Sequence, residues 1–295
     1  MILDPAFLPK LERLSFIARR VRAGQVQGER RSSRRGVSTE FADYRDYARG
    51  DDLRRVDWNI YARLERPYVK LFEEEEDLAV HLLLDASASM DWGDKASGEN
   101  KWLYARRLAA ALGHIALTGG DRLTVTALHG PGLQAQFGPV RGRGHALRLF
   151  AWLEDLQATG TTDLDGALRS YALAGGRAGL AVLASDLFSP TGYTAGLTAL
   201  AARGHEVVLM HILAPEETEP PLAGDMRLVD VETGEAQEVT IDSGVQSLYR
   251  RRLAAWQEEI RSACQTRSAH YVTLATHTPL EQAVLTHLRR SGVLK

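Results

Sequence analysis

From Leu78 onward, short apolar runs alternate with longer segments of helical period. Residues 78–84, with His81 among them, form an apolar run of the kind buried on both faces of a sheet. Residues 101–117 are rich in Ala and Leu and predict a helix. Residues 121–128 place Leu123, Val125 and Ala127 at strand alternation. Residues 145–156 and 164–173 predict helices, 180–185 a second buried strand, 193–202 a helix and 206–213 a strand. Residues 269–274 and 280–288 predict a closing strand and helix. Strand-helix alternation of this sort implies an α/β fold with a doubly wound, mostly parallel sheet. One piece interrupts it. Residues 226–231 and 236–241 flank Glu232-Thr233-Gly234-Glu235 and predict a β-hairpin, an insertion at about 224–243 expected to extend a sheet edge. Residues 249–264 then predict a long helix carrying Trp256 and Ile260.

The first 77 residues are patterned differently. Leu8, Leu11, Leu14, Ile17 and Val21 lie at near-helical spacing and predict an amphipathic helix over 8–21. Arg30, Arg31, Arg34 and Arg35 form a basic loop after it. Residues 40–77 are dense in charge and aromatics and include Gly50-Asp51-Asp52-Leu53-Arg54-Arg55-Val56-Asp57-Trp58. The shift in pattern divides the chain into an N-terminal basic and charged/aromatic subdomain, 1–77, and an α/β domain, 78–295.

Composition narrows the classes. Hydrophobic content of 44% and charged content of 25% are ordinary for a globular chain, and a net charge of -2 exerts no global pull on nucleic acid or membrane. Cys264 is the only cysteine, so neither a disulfide framework nor a cysteine-based zinc site is available. No signal peptide and no membrane-spanning run are seen, and a cytoplasmic protein is expected.

Chemistry enters at the end of the first apolar run, where Asp85-x-Ser87-x-Ser89 presents a carboxylate and two hydroxyls. Hard cations such as Mg2+ prefer oxygen ligands. The same residue types also make an ordinary turn or helix cap. Ligands of open parallel sheets sit beyond the carboxyl ends of the strands, near the switch in strand order. The strand at 180–185 is expected beside that at 78–84, which brings Asp186 toward Asp85. Thr162, in the loop Gly160-Thr161-Thr162-Asp163, can present its hydroxyl to the same place. The bland alternatives are a helix cap for Thr162 and a surface turn for Asp186. Together Asp85, Ser87, Ser89, Thr162 and Asp186 make a five-residue oxygen-ligand set.

This set resembles the metal-ion-dependent adhesion site (MIDAS) of von Willebrand factor A (vWA) domains. The resemblance implies a six-stranded sheet with helices on both faces. It also implies Mg2+, or alternatively Mn2+ or Ca2+, held by the Ser and Thr hydroxyls, with the aspartates binding directly or through water. The Gly50–Trp58 block, Ala62-Arg63, the acidic run before Leu84-Asp85 and Arg227-Leu228-Val229-Asp230 resemble the bacterial domain-of-unknown-function 58 family. That family usually has Ile where Val56 stands. Its members are often encoded near MoxR-type AAA ATPases, which implies such an ATPase, or its client, as partner.

The expected function is therefore a non-enzymatic, Mg2+-dependent protein-interaction module that grips a partner's Asp or Glu carboxylate. A Mg2+-dependent hydrolase or phosphatase is the main alternative. Haloacid-dehalogenase-type chemistry needs a second Asp where Ser87 stands, and the sequence has no His-Glu-x-x-His, no Gly-x-Ser-x-Gly and no phosphate loop with Lys followed by Ser or Thr. Nucleic-acid or membrane-surface binding through the basic arm ranks below both, because no aromatics interleave its arginines. His81 and His114 read as core residues.

Overall fold

The computed structural model describes residues 2–17, 39–48, 56–74 and 77–295. The chain forms two compact units, Met1–Gln27 with Leu78–Lys295, and Gly28–Asp77. The smaller unit therefore starts later than residue 1. Arg30, Arg31, Arg34 and Arg35, and residues 50–55 of the Gly-Asp-Asp block, lie outside the described residues.

In the smaller unit, strand β1 (Thr39–Asp46) pairs antiparallel with β2 (Tyr68–Glu74). Between them runs a helix, Trp58–Leu64. Asp57 caps it by accepting from the backbone N–H of Asn59 at 2.9 Å and of Ile60 at 3.2 Å. That gives the Asp-Trp dipeptide a local role: an N-cap carboxylate satisfies donors that a helix start leaves unpaired. Trp58 packs edge-on against Tyr61, with ring centroids 6.0 Å apart.

In the larger unit, the predicted alternation becomes one six-stranded sheet. Its strands are β3 (Ala79–Asp85), β4 (Arg122–His129), β5 (Gly132–Arg141), β6 (Leu180–Ser185), β7 (Glu206–Leu213) and β10 (His270–Ala275), in the order β10-β7-β6-β3-β4-β5. All pairings are parallel except β4 with β5. Alternate residues of β3 face opposite cores. Val80, Leu82 and Leu84 pack with the helices Lys101–Thr118 and Ala146–Asp155. Leu83 packs with the helices Leu164–Ala174, Thr194–Ala202 and Ser243–Thr266. Burial on both faces is why β3 and β6 read as near-continuous apolar runs. His81 fits this core: its ring bonds Tyr171 Oη at 2.7 Å and the Arg177 carbonyl at 3.0 Å.

Three expectations change. The hairpin, β8 (Gly224–Val229) with β9 (Ala236–Ile241), forms its own two-stranded sheet and extends no edge of the main one. Its strands are mostly exposed, so no buried face draws them into the larger sheet. The sheet edge beyond β4 is instead β5, which the pattern did not predict. It contains Gly138 and Pro139 and exposes Gln134 and Gln136, a composition that an edge strand tolerates and a central one does not. At the amino terminus the helix spans only Leu8–Leu11, and Val21 lies outside the described residues. Leu11, Leu14 and Phe16 are buried, but Phe16 forms a bridge with Leu294 rather than a further helical turn. Tertiary pairing with the carboxyl-terminal residues overrides the helical spacing. No described helix is long and apolar enough to cross a membrane.

Candidate functional site

The chain leaves β3 toward β4 on one side and later returns to β6 on the other. The strand order thus reverses between β3 and β6, and this switch point, beyond the carboxyl ends of the strands, is where open parallel sheets form their ligand crevice. Leu84 and Ala184 are in register, so Asp85 and Ser185 emerge side by side.

Asp85 is the hub, and it is fully buried. Its Oδ1 accepts from the Thr162 hydroxyl at 3.1 Å and from the Ser87 backbone N–H at 3.1 Å. Its Oδ2 accepts from the Ser185 hydroxyl at 2.7 Å. The Ser87 and Ser89 hydroxyls lie 3.0 Å apart. Three loops are laced together by backbone bonds: Thr159 N–H to the Ala86 carbonyl at 2.8 Å, Ala88 N–H to the Gly160 carbonyl at 3.0 Å, and Gly130 N–H to the Thr161 carbonyl at 3.1 Å. Thr162 is therefore not the cap of the following helix. Asp163 takes that role, accepting from Gly166 N–H at 2.8 Å.

Burial pushes the Asp85 carboxyl up from 3.8 to about 6, and the nearby Asp186 charge adds to the effect. Its hydroxyl and backbone donors pull the other way without cancelling burial. Asp85 is thus a desolvated carboxylate that a cation would relieve.

Asp186 is also fully buried, so it is no surface turn. It is held by a residue that sequence reasoning missed. Lys101 Nζ donates to Asp186 Oδ2 at 2.6 Å, in a pair closed off from solvent, and to Glu217 Oε1 at 2.5 Å, where the carboxylate is partly exposed. Phe188 N–H donates to Asp186 Oδ1 at 3.1 Å, and the ammonium lies 5.3 Å from the Phe188 ring centroid. Leu187, between them, stands at φ 62, in the left-handed region, with its N–H donated to Ser185 Oγ at 2.8 Å. Burial holds Glu217 above the usual carboxylate range, against the pull of Lys101. A signal for Lys101 existed. A lysine in the first turn of a helix faces the positive end of the helix dipole, which calls for a carboxylate partner. Ser185 and Glu217 carried no comparable signal.

All five expected residues therefore sit at the crevice, but they fall into two groups. Asp85, Ser87, Ser89 and Thr162 form a hydroxyl-rich cluster around one carboxylate. Asp186 lies beside it and is committed to Lys101. No group of three or more His, Cys, Asp or Glu suited to a metal exists among the described residues, so a cation here would rely on hydroxyl oxygens. The Asp85 cluster fits a hard, oxygen-seeking ion on donor chemistry.

A second residue outside the expected set reaches the cluster. Glu232, at the tip of the β8–β9 hairpin, accepts from Thr162 N–H through Oε2 at 2.8 Å.

A doubly wound sheet of this order, with an Asp-x-Ser-x-Ser loop, a threonine and a second aspartate at its switch point, defines a vWA-like α/β domain. The family can be stated more narrowly. The family described as "Protein of unknown function DUF58" matches residues 43–259, and the chain belongs to it. The uncharacterized proteins Mb1516 of Mycobacterium bovis and Rv1480 of Mycobacterium tuberculosis are each 30% identical over 277 residues, covering 92% of this chain and 86% of the relative. Among solved structures, the conserved hypothetical protein BatB from Bacteroides thetaiotaomicron is 14% identical and aligns over 72% of this chain and 98% of its own, with a TM-score of 0.44. An aerotolerance-related membrane protein from Bacteroides fragilis is also 14% identical, over 72% of this chain and 99% of its own, with a TM-score of 0.43.

Proposed function

We propose that the larger unit is a non-enzymatic, Mg2+-dependent protein-interaction module working in the cytoplasm. The observation that carries this reading is Asp85: a buried carboxylate, ringed by Thr162, Ser87 and Ser185, at the switch point of the sheet. Asp85, Ser87, Ser89 and Thr162 would hold the ion. Mg2+ bound by one carboxylate and neutral hydroxyls stays under-neutralised and offers an electrophilic position to a partner's Asp or Glu. Lys101 pairs with Asp186, so the second aspartate is held at the crevice wall and would reach the ion only through that wall or a water. Mn2+ or Ca2+ could replace Mg2+ on donor chemistry alone. The family resemblance points to a MoxR-type AAA ATPase or its client as the partner.

Titration calorimetry on the full chain tests the metal, with saturable Mg2+ binding in the wild type and none in Asp85→Ala. Partner retention in extract of the native host tests the interaction, and EDTA and Asp85→Ala should each abolish it. Retention indifferent to both would sink the proposal. Phosphatase turnover lost in Asp85→Asn would replace it with the hydrolase reading.

A further inference from the structure

The hairpin β8–β9 is exposed along both strands, with Leu228, Val229 and Val231 all largely in solvent. Its tip behaves differently. Glu232 is half-buried, and its carboxylate spans 70 residues of sequence to take the Thr162 N–H. The other oxygen, Oε1, is buried and has no hydrogen-bond partner among the described residues. A buried carboxylate oxygen without a donor is costly and uncommon, and it needs an explanation. Here it lies in the carboxylate of a side chain bonded to Thr162, whose hydroxyl touches Asp85.

The tip is also built to present this one side chain. Asp230 Oδ1 accepts from Glu232 N–H at 2.8 Å and from Thr233 N–H at 2.9 Å. Asp230 N–H donates to the Glu235 carbonyl at 2.8 Å, and Gly234 N–H donates to the Asp230 carbonyl at 2.9 Å. Gly234 closes the turn at φ 74, which favours glycine. Asp230 thus fixes the turn, while Glu232 is left free to point away from it. An exposed hairpin with a pre-shaped turn and one inserted carboxylate has the form of a tethered ligand.

We infer that Glu232 is a built-in competitor for the carboxylate site: held on the Thr162 N–H beside the place of the ion, it stands in the way of a partner's Asp or Glu, and the hairpin must withdraw for the partner to bind. This rests on the reading of the crevice as a carboxylate receptor. The hairpin also defines the chemistry of the true partner, which is an acidic side chain carried on a tight turn.

The test uses the full chain and a probe taken from it, a cyclised peptide copying residues 229–236, labelled for fluorescence anisotropy in Mg2+. A tethered side chain competes at an effective concentration in roughly the millimolar range. Glu232→Gln, with its own carboxylate removed, is expected to bind the peptide at least about tenfold more tightly than the wild type. A peptide with Gln at its Glu232 position should bind neither protein. Hydrogen exchange at the Thr162 amide, measured without metal, gives a second readout that needs neither partner nor ion. It is expected to speed up in Glu232→Ala, which removes the acceptor, while Glu232→Asp restores part of the protection. Equal peptide binding by wild type and Glu232→Gln, or unchanged Thr162 exchange in Glu232→Ala, overturns the tether. Absence of Mg2+ binding by the wild type overturns the metal reading instead, so the two failures are told apart.

Discussion

Two residues carry opposite electrostatic loads at the crevice. Asp85 has its carboxyl raised from 3.8 to about 6 by burial and by Asp186, so the folded state holds that proton more tightly than the unfolded chain does. Its contribution is present below 3.8 and lost as pH rises through about 6. His81 and His211 work in the other sense. Burial lowers both from 6.5 to about 4, so their contribution is present above 6.5 and lost as pH falls through about 4. The Asp85 effect is isolated by comparing variants. Without metal, Asp85→Asn should gain roughly 2 kcal/mol relative to wild type on going from pH 4 to pH 7, read from urea unfolding at both pH values. Lys101 carries the second load. Lys101→Met strands the buried Asp186 carboxylate and the partly buried Glu217, and should cost about 3–5 kcal/mol by the same assay. Adding Asp186→Asn should recover part of that loss, because the stranded charge and not the missing methylenes dominates. His114 is a core residue, as expected, and its ring packs near Phe150, with centroids 6.1 Å apart.

At the scale of elements, the site depends on how closely β3 and β6 approach, because Asp85 and Ser185 meet only if those strands stay in register. Gly179, just before β6, makes the approach possible. A Cβ there would lie 2.0 Å from the Ala79 carbonyl oxygen, a backbone atom with no freedom to yield. Gly179→Ala should therefore cost at least about 1–3 kcal/mol and weaken Mg2+ binding as well, which calorimetry would show. The elements themselves were largely legible in the chain. β7 and β6 are apolar runs with clear ends, and the structure places them as the pattern does, at Glu206–Leu213 and Leu180–Ser185. β5 was not legible because an edge strand buries little and needs no strict alternation. The Leu8–Leu11 helix was over-read because spacing records that residues are buried, not which partner buries them. The hairpin was read correctly as two strands and a turn, but its place was not, since local turn chemistry says nothing about docking.

For the whole molecule, ligand linkage gives the broadest test. If Mg2+ binds the folded chain alone, a concentration 100-fold above its dissociation constant adds about 2.7 kcal/mol of stability. For a unit of this size that corresponds to a rise of roughly 5–10 °C in melting temperature. EDTA should remove the rise, and Asp85→Ala should never show it. A scan unchanged by Mg2+ would argue against the metal. The sequence by itself determined the strand-helix alternation and placed carboxylates and hydroxyls at strand ends, because burial on two faces and the ends of apolar runs are local properties. The doubly wound order followed from that alternation and brought Asp85, Ser87, Ser89, Thr162 and Asp186 to one crevice. Only the tertiary structure decided how those five divide. Lys101 claims Asp186 across 85 residues, and Glu232 reaches Thr162 across 70. Both are contacts between distant segments, set by how helices and a hairpin dock on the sheet, and no local pattern of residues encodes such a meeting.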